Sequence, residues 1–375
     1  MNPYDFVRID WQQEVKRHQV TPHNRFAKDS LSGRIEGTIT TLTPFFIPHS
    51  EDLRRKDVLY RSDRPITFVQ NGAGQHIIPG SSLKGLFRSV VETVGVGCWW
   101  LYDGEYRSKA GGKTIQSNYR NKLPSQFRQC SHVDNLCGAC RLFGMVNKDS
   151  ALFLGKVNFD DAVCPEPVEH PAMYTPVLDT PKPQHQAWYL DQSQRQVAGR
   201  KFYFHFYPEV ERFSRLIEIP RGGYRNSYLK PVGVNSCFSF SAHFNNIEPD
   251  DWSTLLYALT LERRDWGHRH DIRHKLGYAK PAGLGSVEVQ LTKLTLVDYR
   301  QRYRHLDKGI EVYKDEDLRD YVNQYIKQRF IDANNVTLQD LRRIWDWPPD
   351  TTITYQYPDW NWFNANPTTP IDQTP

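Results

Sequence analysis

Three of the chain's six cysteines fall within the run CSHVDNLCGACRLFG. Cys130, His132, Cys137 and Cys140 offer two pairs of soft or borderline ligands separated by four residues. A CxxC turn brings two thiolates to adjacent corners of a tetrahedron, the geometry zinc adopts. Cys98 is an alternative to Cys130 or His132, and without a metal the same residues read as buried structural thiols. Four protein ligands leave no position for a reacting water, so zinc here would be structural. The thioredoxin-like context that CxxC redox chemistry needs is absent.

A second chemistry is suggested by Ile77 to Val94, IIPGSSLKGLFRSVVETV. Pro79 and Gly80 break an extended run, Ser81 or Ser82 can cap a new helix, and Leu83, Leu86, Phe87, Val90, Val91 and Val94 recur at helical spacing. The helix start would present backbone amides at its positive end. Lys84 and Arg88, four residues apart, share a face away from the apolar stripe, so the turn suits a phosphate. The competing reading is a capped surface helix with two solvated basic residues. A glycine loop from Gly277 to Gly285, including Gly283 and Gly285, lets backbone approach either another backbone or a phosphate. Its companions His274, Lys275 and Lys280 favour a polyanion, although the spacing is neither a Walker loop nor a dinucleotide fingerprint.

These stretches must be positioned by strands and helices. Residues 1 to 32 read as an irregular arm, and alternation from Gly33 to Ile47 predicts a first strand. Pro48 to His76 is a long loop carrying EDLRRKD, either functional or a solvated charge run. The main helix follows, then a basic loop from Trp99 to Gln129. Further strands are expected over Ala151 to Phe159, Lys201 to Tyr207 and Cys237 to Phe244, and Trp252, Leu255, Leu256 and Leu259 mark a second helix. Strand, helix, strand, then strand, helix, glycine loop, strand predicts an α+β fold with a ferredoxin-like (RRM-like) βαββαβ core and long insertions, lacking the usual RRM aromatic signature. EVYKDEDLRDYVNQYIKQRF and TLQDLRRIWDW predict two further helices. The length and 39% hydrophobic content allow a sizeable core, while a net charge of +5 requires any RNA site to come from local clustering. No apolar run is long enough for a membrane span or signal peptide, so a cytoplasmic protein is expected.

Four stretches, IPGSSLKGLFRSVVE, CxxCRLFG (Cys137 to Gly144), GKVNFDDA (Gly155 to Ala162) and HKLGYAKPAGLGSVEV (His274 to Val289), resemble in order the motifs of the RAMP superfamily, RNA-binding backbone proteins of type III CRISPR effector complexes. PYDFV near the start and LSGRIEGTITTLTPFFI look like one subfamily. Residues after about 300 match nothing that can be named, which divides the chain into a RAMP domain, 1–300, and a C-terminal helical extension, 301–375. The resemblance implies guide RNA (crRNA), target single-stranded RNA and neighbouring effector subunits as partners, with Ser81, Ser82, Lys84, Arg88, Lys275, Lys280, Gly283 and Gly285 holding RNA. In RNA-cleaving members an aspartate in the loop before the main helix acts with magnesium or another divalent metal. Asp63, shortly before Pro65 and Ile66, fits that placement, with Asp52 and Asp57 as competitors. Thr175 to Pro208 resembles the projecting thumb, with His185, Trp188 and Tyr189 as base-contacting groups. A subunit that only binds RNA remains open, as does a guide-processing endoribonuclease, though none of thirteen histidines has a clear catalytic partner at the glycine loop.

Overall fold

In Leu31–Thr41 every second side chain from Ile35 onward is buried, with Ile35 and Ile39 fully enclosed. Gly37 lies on the same buried face, and the ring of Phe240 passes where its Cβ would stand, 2.7 Å away. The segment is therefore a central strand, covered on one face and paired at both edges. The computed structural model describes residues 1–49, 64–100, 102, 104–110, 113–147, 151–178, 185–209, 215–218 and 224–373.

Eight strands build the main sheet: β1 (Leu31–Thr41), β2 (His76–Ile78), β3 (Val157–Phe159), β4 (Ala162–Cys164), β5 (Cys237–Ile247), β6 (His274–Lys275), β7 (Ser286–Val297) and β8 (Ile310–Tyr313). Across the sheet the order is β6-β7-β1-β5-β4-β2, with β3 also on β5 and β8 also on β7. Each of these pairings is antiparallel. The expected first strand thus ends at Thr41. The expected strand over 151–159 is broken, because Leu152–Leu154 pairs with Gly144–Val146 before β3 joins the sheet.

α1 (Gly80–Val94) and α3 (Pro249–Thr260) pack against each other and against the sheet, while the short α2 (Gly138–Phe143) packs on α1. α3 is buried on nearly all sides because α4 (Asp315–Ile326) covers its outer face. α5 (Val336–Ile344) lies against Tyr4–Val7. The first residues are not wholly irregular, since Tyr4–Val7 pairs with Arg200–Tyr203. The basic loop after Trp99 contains a hairpin of Glu105–Ala110 and Lys113–Asn118. Among the described residues, no helix is long and apolar enough to cross a membrane.

Candidate nucleic-acid groove and cysteine cluster

The outward face of α1 presents Ser82, Gly85 and Ser89 at intervals of three and four residues, so they form one row along the helix. The glycine loop faces this row, and the strand Arg200–Tyr203 closes the groove between them. The groove has a volume of about 460 Å³ and is walled by Lys201, Lys275 and Lys280, with no carboxylate in its lining among the described residues. Desolvation by the surrounding groove walls pushes the Lys201 ammonium down to about 8 although the side chain is exposed, with repulsion from Lys280 adding to it. Burial likewise lowers Lys280, and it lowers Lys275 strongly, with Lys280 again contributing. Cations held below their ordinary range, with no facing anion among the described residues, would be stabilised by a ligand that supplies one.

The lysines are not equivalent. Lys275 is buried and donates to Gly283 O and Ser286 Oγ, both at 3.1 Å. It fastens the glycine loop from within. Lys280 donates to Gly277 O at 2.8 Å, and Lys201 sits over the ring of Tyr4 at 3.6 Å. Lys201 was not singled out in the sequence, where it begins an aromatic strand and no motif marks it.

Beneath the other side of α1, Cys98, Cys130, Cys137 and Cys140 are all buried, and their sulfurs lie within 4.8 Å of one another. A tetrahedron with Zn–S bonds of about 2.3 Å has sulfurs roughly 3.8 Å apart, so this group can close on a metal ion with small movements. Hydrogen bonds from the Cys137 and then the Cys140 thiol hold Cys130 well below the ordinary thiol range. Two guanidinium groups face the sulfurs: Arg17 Nε donates to Cys130 at 3.4 Å and Arg88 Nη2 to Cys140 at 3.6 Å. They offset the negative charge that metal-binding thiolates carry. His132 is exposed and is not part of this group, so its expected role as a ligand is corrected in favour of Cys98, which follows the end of α1 by four residues.

The RAMP superfamily model matches residues 38–288, about two thirds of the chain. The chain belongs to this superfamily. A chain of the Csm3-Csm4 subcomplex in the type III-A CRISPR-Cas interference complex is 14% identical, with 80% of this chain and 98% of that one covered and a TM-score of 0.34. A chain of the type III-B Cmr-beta complex bound to cognate target RNA is 16% identical, with 76% and 61% covered and a TM-score of 0.33. No curated protein sequence matches significantly.

Several RAMP motif residues hold the fold itself. The first amide of α1, Gly80 N, is satisfied at 2.8 Å by Asp161 of GKVNFDDA, and neither Ser81 nor Ser82 caps the helix, whose N-cap is Pro79. The carboxylate occupies the place at which a phosphate was expected to meet that amide. Arg88 is tied up as well, pairing with Glu92 at 2.8 Å and donating to Gly144 O at 2.8 Å. These contacts brace α1 against the chain. Lys84 and Ser81 lie outside the groove lining, Lys84 half-buried and lowered by that burial and by Arg88. In CxxCRLFG, Arg141 forms a buried bidentate pair with Asp251 at 2.7 Å. Gly283 and Gly285 are buried, and a Cβ on Gly285 would lie 1.8 Å from Leu276 O, so here the loop's glycines admit backbone rather than ligand.

His205 and His274, both beside the glycine loop, are held neutral by burial, His274 at about 4 and His205 well below its ordinary value. Their ring nitrogens bond Ser286, Arg273 O and Ala258 O, which leaves neither poised for acid–base work. His185 and Trp188, expected on a projecting thumb, are buried against Phe363, while Tyr189 is half-buried. Asp52, Asp57 and Asp63 lie outside the described residues.

Proposed function

We propose that this chain is a guide-RNA-binding backbone subunit of a type III CRISPR effector complex in the cytoplasm. The observation that carries the reading is the lysine-walled groove where the helix motif and the glycine-loop motif, far apart in sequence, meet. Its lining offers cations, a hydroxyl-bearing helix face and, among the described residues, no competing carboxylate, the chemistry that tracks a sugar-phosphate backbone. Lys201, Lys280, Ser82 and Ser89 hold the phosphates, while Lys275, Arg88, Gly283 and Gly285 keep the walls in place.

The strand order supports reading the sheet as a ferredoxin-like core. Its four strands are β1, the pair β3 and β4, β5, and β7; α1 and α3 are its helices, and the first strand lies between the fourth and third. The cysteine group is read as a structural zinc site, because four thiolates and no open ligand position suit that ion best. The boundary at residue 300 separates the motif-bearing part from the C-terminal extension in sequence. Target RNA cleavage is assigned to the loop, with Asp63 first and Asp52 or Asp57 next. A carboxylate there would hold a hard divalent ion, which would supply positive charge at the scissile phosphate.

Two experiments test this. The tagged chain is purified from its host and the bound RNA is sequenced: repeat-derived guides are expected, whereas random cellular RNA or none removes the reading. In an assembled complex given matched target RNA and magnesium, Asp63→Ala is expected to abolish a cut without loss of target binding. Wild-type cleavage in Asp63→Ala, Asp52→Ala and Asp57→Ala alike leaves a subunit that only binds RNA.

A further inference from the structure

A second cavity of about 380 Å³ opens beside the groove and shares Ser89, Lys201 and Phe202 with it. Its walls are mostly aromatic: Phe6, Trp99, Tyr102, Tyr119 and Tyr189 line it together with Phe202. Arg200 also lines it, with its guanidinium 4.7 Å from the centre of the Trp99 ring and fixed by Glu92 at 2.9 Å and Cys98 O at 2.9 Å. Two of the lining residues carry a buried nitrogen, Trp99 Nε1 and Arg200 Nε, with no hydrogen-bond partner among the described residues. Both are donors only, and a buried donor costs free energy until an acceptor reaches it.

A ligand that suits this cavity has a flat π-face for the aromatic walls and an anionic group for the lysines of the adjoining groove. A nucleotide has both, whereas an aliphatic chain or a Phe side chain carries no anion. The opening onto the lysine groove adds a phosphate site next to the base site, which matches the two ends of a nucleotide. We propose that this cavity receives one unstacked base of the RNA whose backbone lies in the adjoining groove. The inference rests on the RNA-binding reading of that groove and adds a base site to it.

The test uses the purified full-length chain, a labelled single-stranded oligouridylate and a fully abasic strand of the same length. Tyr189→Ala is expected to weaken oligouridylate binding about tenfold with the salt dependence unchanged. Tyr189→Phe should bind like the wild type, and the abasic strand should not distinguish the three proteins. If Tyr189→Ala binds oligouridylate as tightly as the wild type while Lys201→Ala with Lys280→Ala binds it weakly, the base site is refuted and the groove stands. If the double lysine variant keeps the wild-type affinity and salt slope, the groove reading fails and the base site with it. Should Tyr189→Ala not fold, tryptophan emission decides. Uridine monophosphate, but not ribose 5-phosphate, is expected to quench wild-type emission, and this quenching should be missing in Trp99→Phe; equal quenching in both proteins overturns the proposal.

Discussion

Lys201 illustrates how one side chain can report on a ligand. Its pKa of about 8 in the folded chain lies below the ordinary 10.5, so between those values the folded state holds fewer protons than the unfolded one. Desolvated by the groove walls although its side chain is exposed, the ammonium therefore costs some stability below about pH 8, and the cost fades as pH rises toward the unfolded value. An RNA phosphate favours the charged form, so binding takes up a proton near pH 8 and affinity falls as pH rises through that point. Lys201→Arg, charged throughout, is expected to flatten the dependence; fluorescence anisotropy at constant ionic strength checks both. The cysteine cluster gives a second prediction for single residues. Cys98→Ala should destabilise the chain as severely as Cys137→Ala, by several kcal/mol, since structural zinc contributes on the order of 10 kcal/mol in small domains. His132→Ala, at an exposed position, should change stability by less than about 0.5 kcal/mol. Urea unfolding with zinc analysis of each variant would decide between His132 and Cys98 as the fourth ligand.

Two glycines of α1 separate what folding requires from what a ligand requires. A Cβ on Gly80 would stand 2.2 Å from Phe159 O, so the helix start can sit on β3 only without a side chain there. Gly80→Ala is expected to cost about 1–3 kcal/mol through the forced shift. Gly85, in the same helix, has no atom of another element within 4 Å of such a Cβ among the described residues, and it lines the groove. Gly85→Ala should therefore stabilise the free chain by up to about 1 kcal/mol while weakening RNA binding, opposite signs that a denaturant titration and a binding isotherm measure separately. The helix was legible in the sequence because its apolar spacing and the preceding Pro-Gly break are local signals, and Leu83, Phe87, Val90 and Val91 are indeed buried. The use of each polar residue was not. Arg88 and Lys84 look alike in sequence, and only the approach of Glu92, Gly144 and Cys140 makes Arg88 a brace. In the same way Lys275 reads as a free cation until the loop folds over it, while Lys201 gains its place on the groove from a strand pairing with the first residues of the chain.

Across the whole molecule, the C-terminal helices are fastened into the core that the sheet builds. Leu318, Val322, Ile326, Leu338, Leu341 and Ile344 belong to the same buried cluster as Ile35, Phe87 and Leu255. Helical spacing in the sequence announced both α4 and α5, but nothing local indicated where they dock, because that depends on partners far away in the chain. The fastening includes Arg342, which pairs with fully buried Glu262 at 2.7 Å and donates to Phe330 O, Ile331 O and Ala333 O. Glu262 also accepts from Tyr257 at 3.0 Å, linking α5 through this carboxylate to α3. Removing the guanidinium alone strands a buried carboxylate, so Arg342→Met is expected to cost about 3–5 kcal/mol. Adding Glu262→Gln removes the uncompensated charge and should recover part of that loss. Because the helices share one core with the sheet, Arg342→Met should lower the urea midpoint of a single transition seen alike by far-ultraviolet circular dichroism and tryptophan emission. A separate early transition confined to the helical signal would show instead that residues 301–375 unfold on their own.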